Sequence, residues 1–194
     1  MIPELGQIAL LGALMVTILM GTLPLLGAAT DNPRLMQVGT TGAIAQVVLV
    51  MLAFVMLSWA FAYQDFSVEY VARNSNSQLP MVYRLTAVWG SHEGSFLLWE
   101  AILCLWTFFV AVYSKKLPPR FRARVLGVLG LISFGFLLFI LFSSNPFSRL
   151  VPPAAEGLDL NPLLQDPGMI IHPPMLYIGY VGFAVSFAFA VAAL

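Results

Sequence analysis

The chain has 194 residues, of which 60% are hydrophobic and 9% charged, whereas a soluble domain carries about 25% charged residues. So charge-poor a chain cannot clothe a water-facing surface. Nine basic and nine acidic residues cancel, which excludes the basic field that a nucleic-acid partner requires, and Cys104, the single cysteine, excludes an internal disulfide.

An all-α polytopic integral membrane protein remains. A bilayer core of roughly 30 Å takes about 20 apolar residues in a helix, and five runs meet that length: 5–29, 39–63, 95–113, 125–142 and 175–194. They are continuous, unlike the short alternating strands of a membrane barrel. Only helices satisfy their own backbone in lipid, so about five transmembrane helices are predicted, forming a single membrane domain over 1–194. The first run has no basic segment before it and is too long for the apolar stretch of a cleaved signal.

The connections alternate in length and charge. The short ones, 30–38 and 114–124, hold Arg34, Lys115, Lys116, Arg120, Arg122 and Arg124 against Asp31. The long ones, 64–94 and 143–174, together with the N-terminus, hold Arg73, Arg84 and Arg149 against seven acidic residues. The positive-inside rule makes the short loops cytoplasmic and places the N-terminus and both long loops outside. Loops of this length often carry function, so chemistry is expected on the outer face.

The second connection ends in Trp89-Gly90-Ser91-His92-Glu93-Gly94-Ser95, where the chain enters the third span. His92 is a candidate ligand; its alternatives are a helix cap or a pair with Glu93. Trp89 suits the membrane interface. Glu100 lies about one and a half turns inside the third span, on the face of Phe96 and Cys104. A carboxylate at such depth is costly and is a functional candidate by default. The plainer expectation is a position near the interface, satisfied by Arg84 or a tryptophan indole.

The last long connection ends in His172-Pro173-Pro174. Proline suits a first helical turn, so His172 is expected just before the fifth helix, at the membrane surface, where neutral imidazole is able to ligate a metal or haem iron. In the fifth span Gly179, Gly182 and Ser186 form a small-residue stripe for close helix packing. The span stops at Leu194 without a polar anchor, so the chain is expected to be cut short or to continue in another polypeptide.

Five segments carry a family resemblance: the entry Met1-Ile2-Pro3-Glu4-Leu5-Gly6, the stretch from Arg84 through Trp89-Gly90-Ser91-His92-Glu93 to Ser95, Asn145-Pro146-Phe147, Leu158-Asp159-Leu160-Asn161-Pro162 through Asp166, and His172-Pro173-Pro174-Met175 through Gly182. In this order they resemble CcmF, the membrane haem-lyase component of bacterial cytochrome c maturation, along essentially the whole chain. The resemblance implies a multi-pass protein of the bacterial inner membrane that receives haem from the periplasmic chaperone CcmE. With CcmH- and CcmI-type subunits it would attach that haem, its iron reduced, to the Cys-x-x-Cys-His thiols of apocytochrome c. It makes His172 one of two periplasmic axial ligands to the haem iron, and leaves Trp89, His92 and Glu93 as possible lining or second-layer residues of the same outer pocket. The family's tryptophan-rich haem-handling segment, its second periplasmic histidine and its membrane-embedded histidine pair are absent, so the permanent b-type haem is expected outside this chain and the chain alone is expected to be inactive. Two other readings stay open: a proton or ion transporter fragment using Glu100, and a non-catalytic scaffold for the maturation complex.

Overall fold

The structure is a computed structural model describing residues 1–194. Its helices in chain order are α1 (Ile2–Thr30), α2 (Pro33–Ala62), α3 (Glu69–Asn74), α4 (Met81–Thr86), α5 (His92–Tyr113), α6 (Pro119–Ser143) and α7 (Pro167–Ala193), with 3₁₀ turns at Ala87–Trp89 and Pro162–Gln165. Five of them, α1, α2, α5, α6 and α7, are long and apolar enough to cross a membrane.

These helices overhang the apolar runs that mark them, mostly at their N-termini. Hydropathy reports what lipid covers, whereas a helix starts where its first N–H groups find partners or are missing. Proline opens α2, α6 and α7 at Pro33, Pro119 and Pro167, where its absent N–H costs nothing and its fixed φ suits the helix. The Asn32 side chain caps α2 by accepting from the amides of Arg34 and Leu35. The turn from α1 to α2 needs one left-handed residue, Asp31 at φ 59°, a residue type that tolerates that region.

Between helices in lipid there is little hydrophobic driving force, so close packing decides. Small residues accordingly line the contacts of α1 with α2 and α6. A methyl on Gly130 of α6 would stand 2.8 Å from the Gly21 amide nitrogen of α1, so the two backbones touch there. The main core gathers Leu10, Leu57, Phe61, Leu97, Leu137 and Ile140 from α1, α2, α5 and α6. Helix α7 lies on the outside of this group, against α5 and α6.

The two long connections form one cap over one end of the bundle. Residues Val68 and Arg149 pair as an isolated antiparallel bridge, flanked by Glu69 N–H to Ser148 O and Leu150 N–H to Ser67 O, both 2.9 Å. The Glu156 carboxylate accepts from the Ser77 amide at 2.9 Å and the Ser77 hydroxyl at 2.7 Å. Arg149 then ties the cap to the N-terminal turn through Glu4 and to Asp65. At the opposite end Arg120 pairs with Asp31 across the two short connections.

Candidate functional site

The entry to α5 is built around a buried phenol. Tyr70 of α3 is 2% exposed. Its hydroxyl faces the carbonyls of Val88 at 3.1 Å and Ala87 at 3.2 Å, and accepts from the Ser91 amide at 3.2 Å. Burial, with the nearby Glu93 charge adding to it, pushes the ionisation of this hydroxyl upward. Gly94 is required here for space: a Cβ would overlap the Val88 carbonyl oxygen and stand 2.6 Å from the Tyr70 hydroxyl. Thus Trp89, His92 and Glu93 leave a rigid corner in fixed directions.

Those directions differ. The His92 Nδ1 hydrogen-bonds Ser144 Oγ at 2.7 Å, and the ring meets Phe96 and Phe139 edge to face at 4.7 and 5.9 Å between centroids. Glu93, about 100° further round the helix, instead lines a polar cavity of about 180 Å³ with Glu69, Tyr70, Arg73 and Ser144. The Trp89 ring reaches over to α7, where its Nε1–H donates to the Ile170 carbonyl at 3.1 Å.

Helix α7 corrects the expected position of His172. The helix begins at Pro167, and Asp166 caps it by accepting from the amides of Gly168 at 2.8 Å and Met169 at 3.2 Å. His172 is therefore in the second turn of α7, and Pro173 and Pro174 lie within the helix rather than at its start. The signal in the sequence was Asp166-Pro167, a capping residue followed by a first-position proline. Interior prolines leave the carbonyls four residues back without their donor. For Pro174 that carbonyl is Ile170, the one that the Trp89 indole satisfies. The tryptophan thus repairs the helix at the point where the proline opens it. His172 itself is exposed, and helical periodicity puts it opposite the buried Val181, away from α5 and α6.

The small-residue stripe divides in the same way. Gly182 lies 3.6 Å from the Trp106 ring, by the reach of a Cβ, whereas Gly179 faces open space. No group of three or more His, Cys, Asp or Glu side chains comes together to hold a metal ion.

Glu100 is deeper than expected. It lies eight residues after His92 in α5, about 12 Å along the axis, and is fully buried. Neither an arginine nor an indole reaches it. The Arg84 guanidinium is spent on the carbonyls of Leu79, Ala62 and Ser77, and the Trp106 indole donates to Ile178 O at 3.1 Å. Its Oε1 accepts instead from Ser133 Oγ of α6 at 2.8 Å, Gln46 Nε2 of α2 at 3.0 Å and Cys104 Sγ at 3.3 Å. Glu100 and its face-mate Cys104 are legible in the sequence, whereas Gln46 and Ser133, polar residues flanked by apolar ones, are not.

Residues 89–194 match the family described as cytochrome C assembly protein. Over its whole length the chain is 56% identical to the cytochrome c-type biogenesis protein CcmF of Pseudomonas aeruginosa and 53% identical to that of Escherichia coli, and it spans 30% of the length of each. It is 47% identical to the cytochrome c-type biogenesis protein NrfE of Haemophilus influenzae, spanning 31% of that protein. A solved structure, cytochrome c haem lyase CcmF, matches all of the chain with a TM-score of 0.87 at 30% identity, the chain covering 30% of it.

Proposed function

The chain belongs to the cytochrome c assembly family as a CcmF-type protein, and from that premise we propose that it forms part of a haem lyase in the bacterial inner membrane, with His172 as one axial ligand to the substrate haem. The observation that carries this is an exposed imidazole on the second turn of a capped membrane helix. Helix α7 is about 40 Å long at 27 residues, longer than a bilayer core of roughly 30 Å, so its first turns stand at the membrane surface. The charge of the connections supports a periplasmic position for that surface.

Haem arrives from CcmE as substrate. A neutral His172 ring donates a nitrogen lone pair to its iron and holds the porphyrin in one orientation. Each thiol of a Cys-x-x-Cys-His apocytochrome then adds across a vinyl group: a carbon–sulfur bond forms at one vinyl carbon and the thiol hydrogen passes to the other. The chain contributes orientation, and the bond chemistry belongs to haem and thiol. Trp89 fixes the turn that carries His172, while His92 and Glu93 shape the neighbouring surface of the cap. CcmE, CcmH- and CcmI-type subunits and apocytochrome c are the partners in this reading. The second axial ligand and the permanent b-type haem come from outside this chain.

The test is capture of haem from CcmE by the intact protein. His172→Ala is expected to lose captured haem in a pyridine haemochrome assay, and added imidazole to restore part of it. Haem captured equally well by the alanine variant would refute His172 as the ligand.

A further inference from the structure

The hydrogens around Glu100 do not balance. Three donors, from Gln46, Ser133 and Cys104, all converge on Oε1, while Gln46 Nε2 also donates to Ser133 Oγ at 2.6 Å. Two acceptors are left with nothing: Glu100 Oε2 and Gln46 Oε1, both buried and both without a hydrogen-bond partner. Glu100, Gln46 and Ser133 are each 0% exposed. An orphaned buried acceptor carries its full desolvation penalty, and a charged one carries more. Buried polar networks persist in native proteins when every member is satisfied.

One added hydrogen closes the account. We propose that the centre of the α2–α5–α6 contact is a proton-binding site, in which Glu100 is held as a neutral carboxylic acid whose Oε2–H donates to the Gln46 carbonyl oxygen. A single proton then removes both orphans and leaves no charge in the lipid-embedded core, where an ionised carboxylate is expensive. The only other titratable group in contact is the Cys104 thiol, which already donates to Glu100. The remaining charged residues of the surrounding helices, Glu4, Arg34, Glu93, Arg120, Arg122 and Arg124, all lie in the first two turns of their helices. With its proton, Glu100 clasps α5 to both α2 and α6. Without it, Gln46 Oε1 and a charged Oε2 both stay buried without a donor, so proton release requires water to enter or α2 to part from α5. The site is independent of His172 and of haem.

The experiment uses the intact protein in lipid nanodiscs. In the infrared difference spectrum of wild type minus Glu100→Gln at neutral pH, the carbonyl band of a protonated carboxyl is expected. Glu100→Gln supplies an N–H where the acid has O–H, so its melting temperature should stay within about 2 °C of wild type, while Glu100→Ala, which strands three donors, should fall by several degrees. Should the glutamine variant fail to fold, the wild-type band is followed instead in Ser133→Ala, which removes one hydrogen bond from the acid, and in Gln46→Leu, which removes two; both should shift it. Absence of a protonated-carboxyl band, a glutamine variant as unstable as the alanine one, or a band unmoved by both substitutions overturns the proposal.

Discussion

Trp89→Phe removes the hydrogen bond that joins the α5 corner to the turn of α7 carrying His172. Phenylalanine keeps most of the ring and its packing and deletes the Nε1–H that donates to Ile170 O at 3.1 Å. The carbonyl cannot recover its normal partner, because residue 174 is proline and has no N–H. Ile170 is half-buried, so water compensates in part, and a loss of about 1–2 kcal/mol in the local stability of the first α7 turns is expected. That is a factor of about 5–30 in the opening equilibrium. Hydrogen–deuterium exchange reads it directly: the amides of Met169 to His172 should exchange faster by about that factor, while α2 and the rest of α5 stay unchanged. Haem capture should weaken in the same variant, without the complete loss expected for His172→Ala. Unaltered exchange in the first two turns of α7 would refute the idea that the indole repairs the proline break, whatever happens to haem.

Two further outcomes follow from the cap. Gly94→Ala forces a methyl into the Val88 carbonyl and the Tyr70 hydroxyl; overpacking of this kind costs about 1–3 kcal/mol, read as a lower melting temperature of the intact protein, and an unchanged temperature would show that the corner yields. The Glu156 carboxylate is held below the ordinary carboxylate range, first by the Ser77 hydroxyl and then by the amides of Gly157 and Ser77. A carboxyl whose ionisation is depressed by folding contributes its stability above the unfolded-state value, about 4.3, and loses it as pH falls through the lower folded-state value. The Ser77–Glu156 contact should therefore hold at neutral pH and open in acid, with Ser77 and Gly157 amide exchange rising relative to Glu156→Gln controls, which lack the transition.

How legible the molecule was depends on what each feature needs. The five membrane helices needed only long apolar runs, because lipid rejects anything else. Their ends needed capping chemistry, which was written in Asn32-Pro33 and Asp166-Pro167 but is invisible to hydropathy. His172 shows this: Pro173-Pro174 reads as a helix start, yet Pro167, six residues before Pro173 and preceded by an aspartate, already starts the helix. The Trp89 contact was half legible. That Pro174 frees a carbonyl follows from covalent structure, but which donor fills the gap depends on how α5 and α7 are placed. Gln46 and Ser133 were not legible at all, since one polar residue in an apolar helix says nothing about its facing partner until the helices are rotated into contact.

The two histidines show how the same residue type is committed differently. His92 is already engaged, with Nδ1 on Ser144 Oγ and its ring against Phe96 and Phe139. Binding iron through that nitrogen would first break a hydrogen bond. His172 is exposed, and the restraint falls on its backbone instead: the Asp166 cap, the fixed φ of Pro167, Pro173 and Pro174, and the Trp89 bond to Ile170. Each removes conformational freedom from the turn before any ligand arrives, so less ordering remains to oppose binding. A stiff backbone under a free imidazole is what an axial ligand to an incoming porphyrin requires, and this division of roles favours His172 over His92 as that ligand.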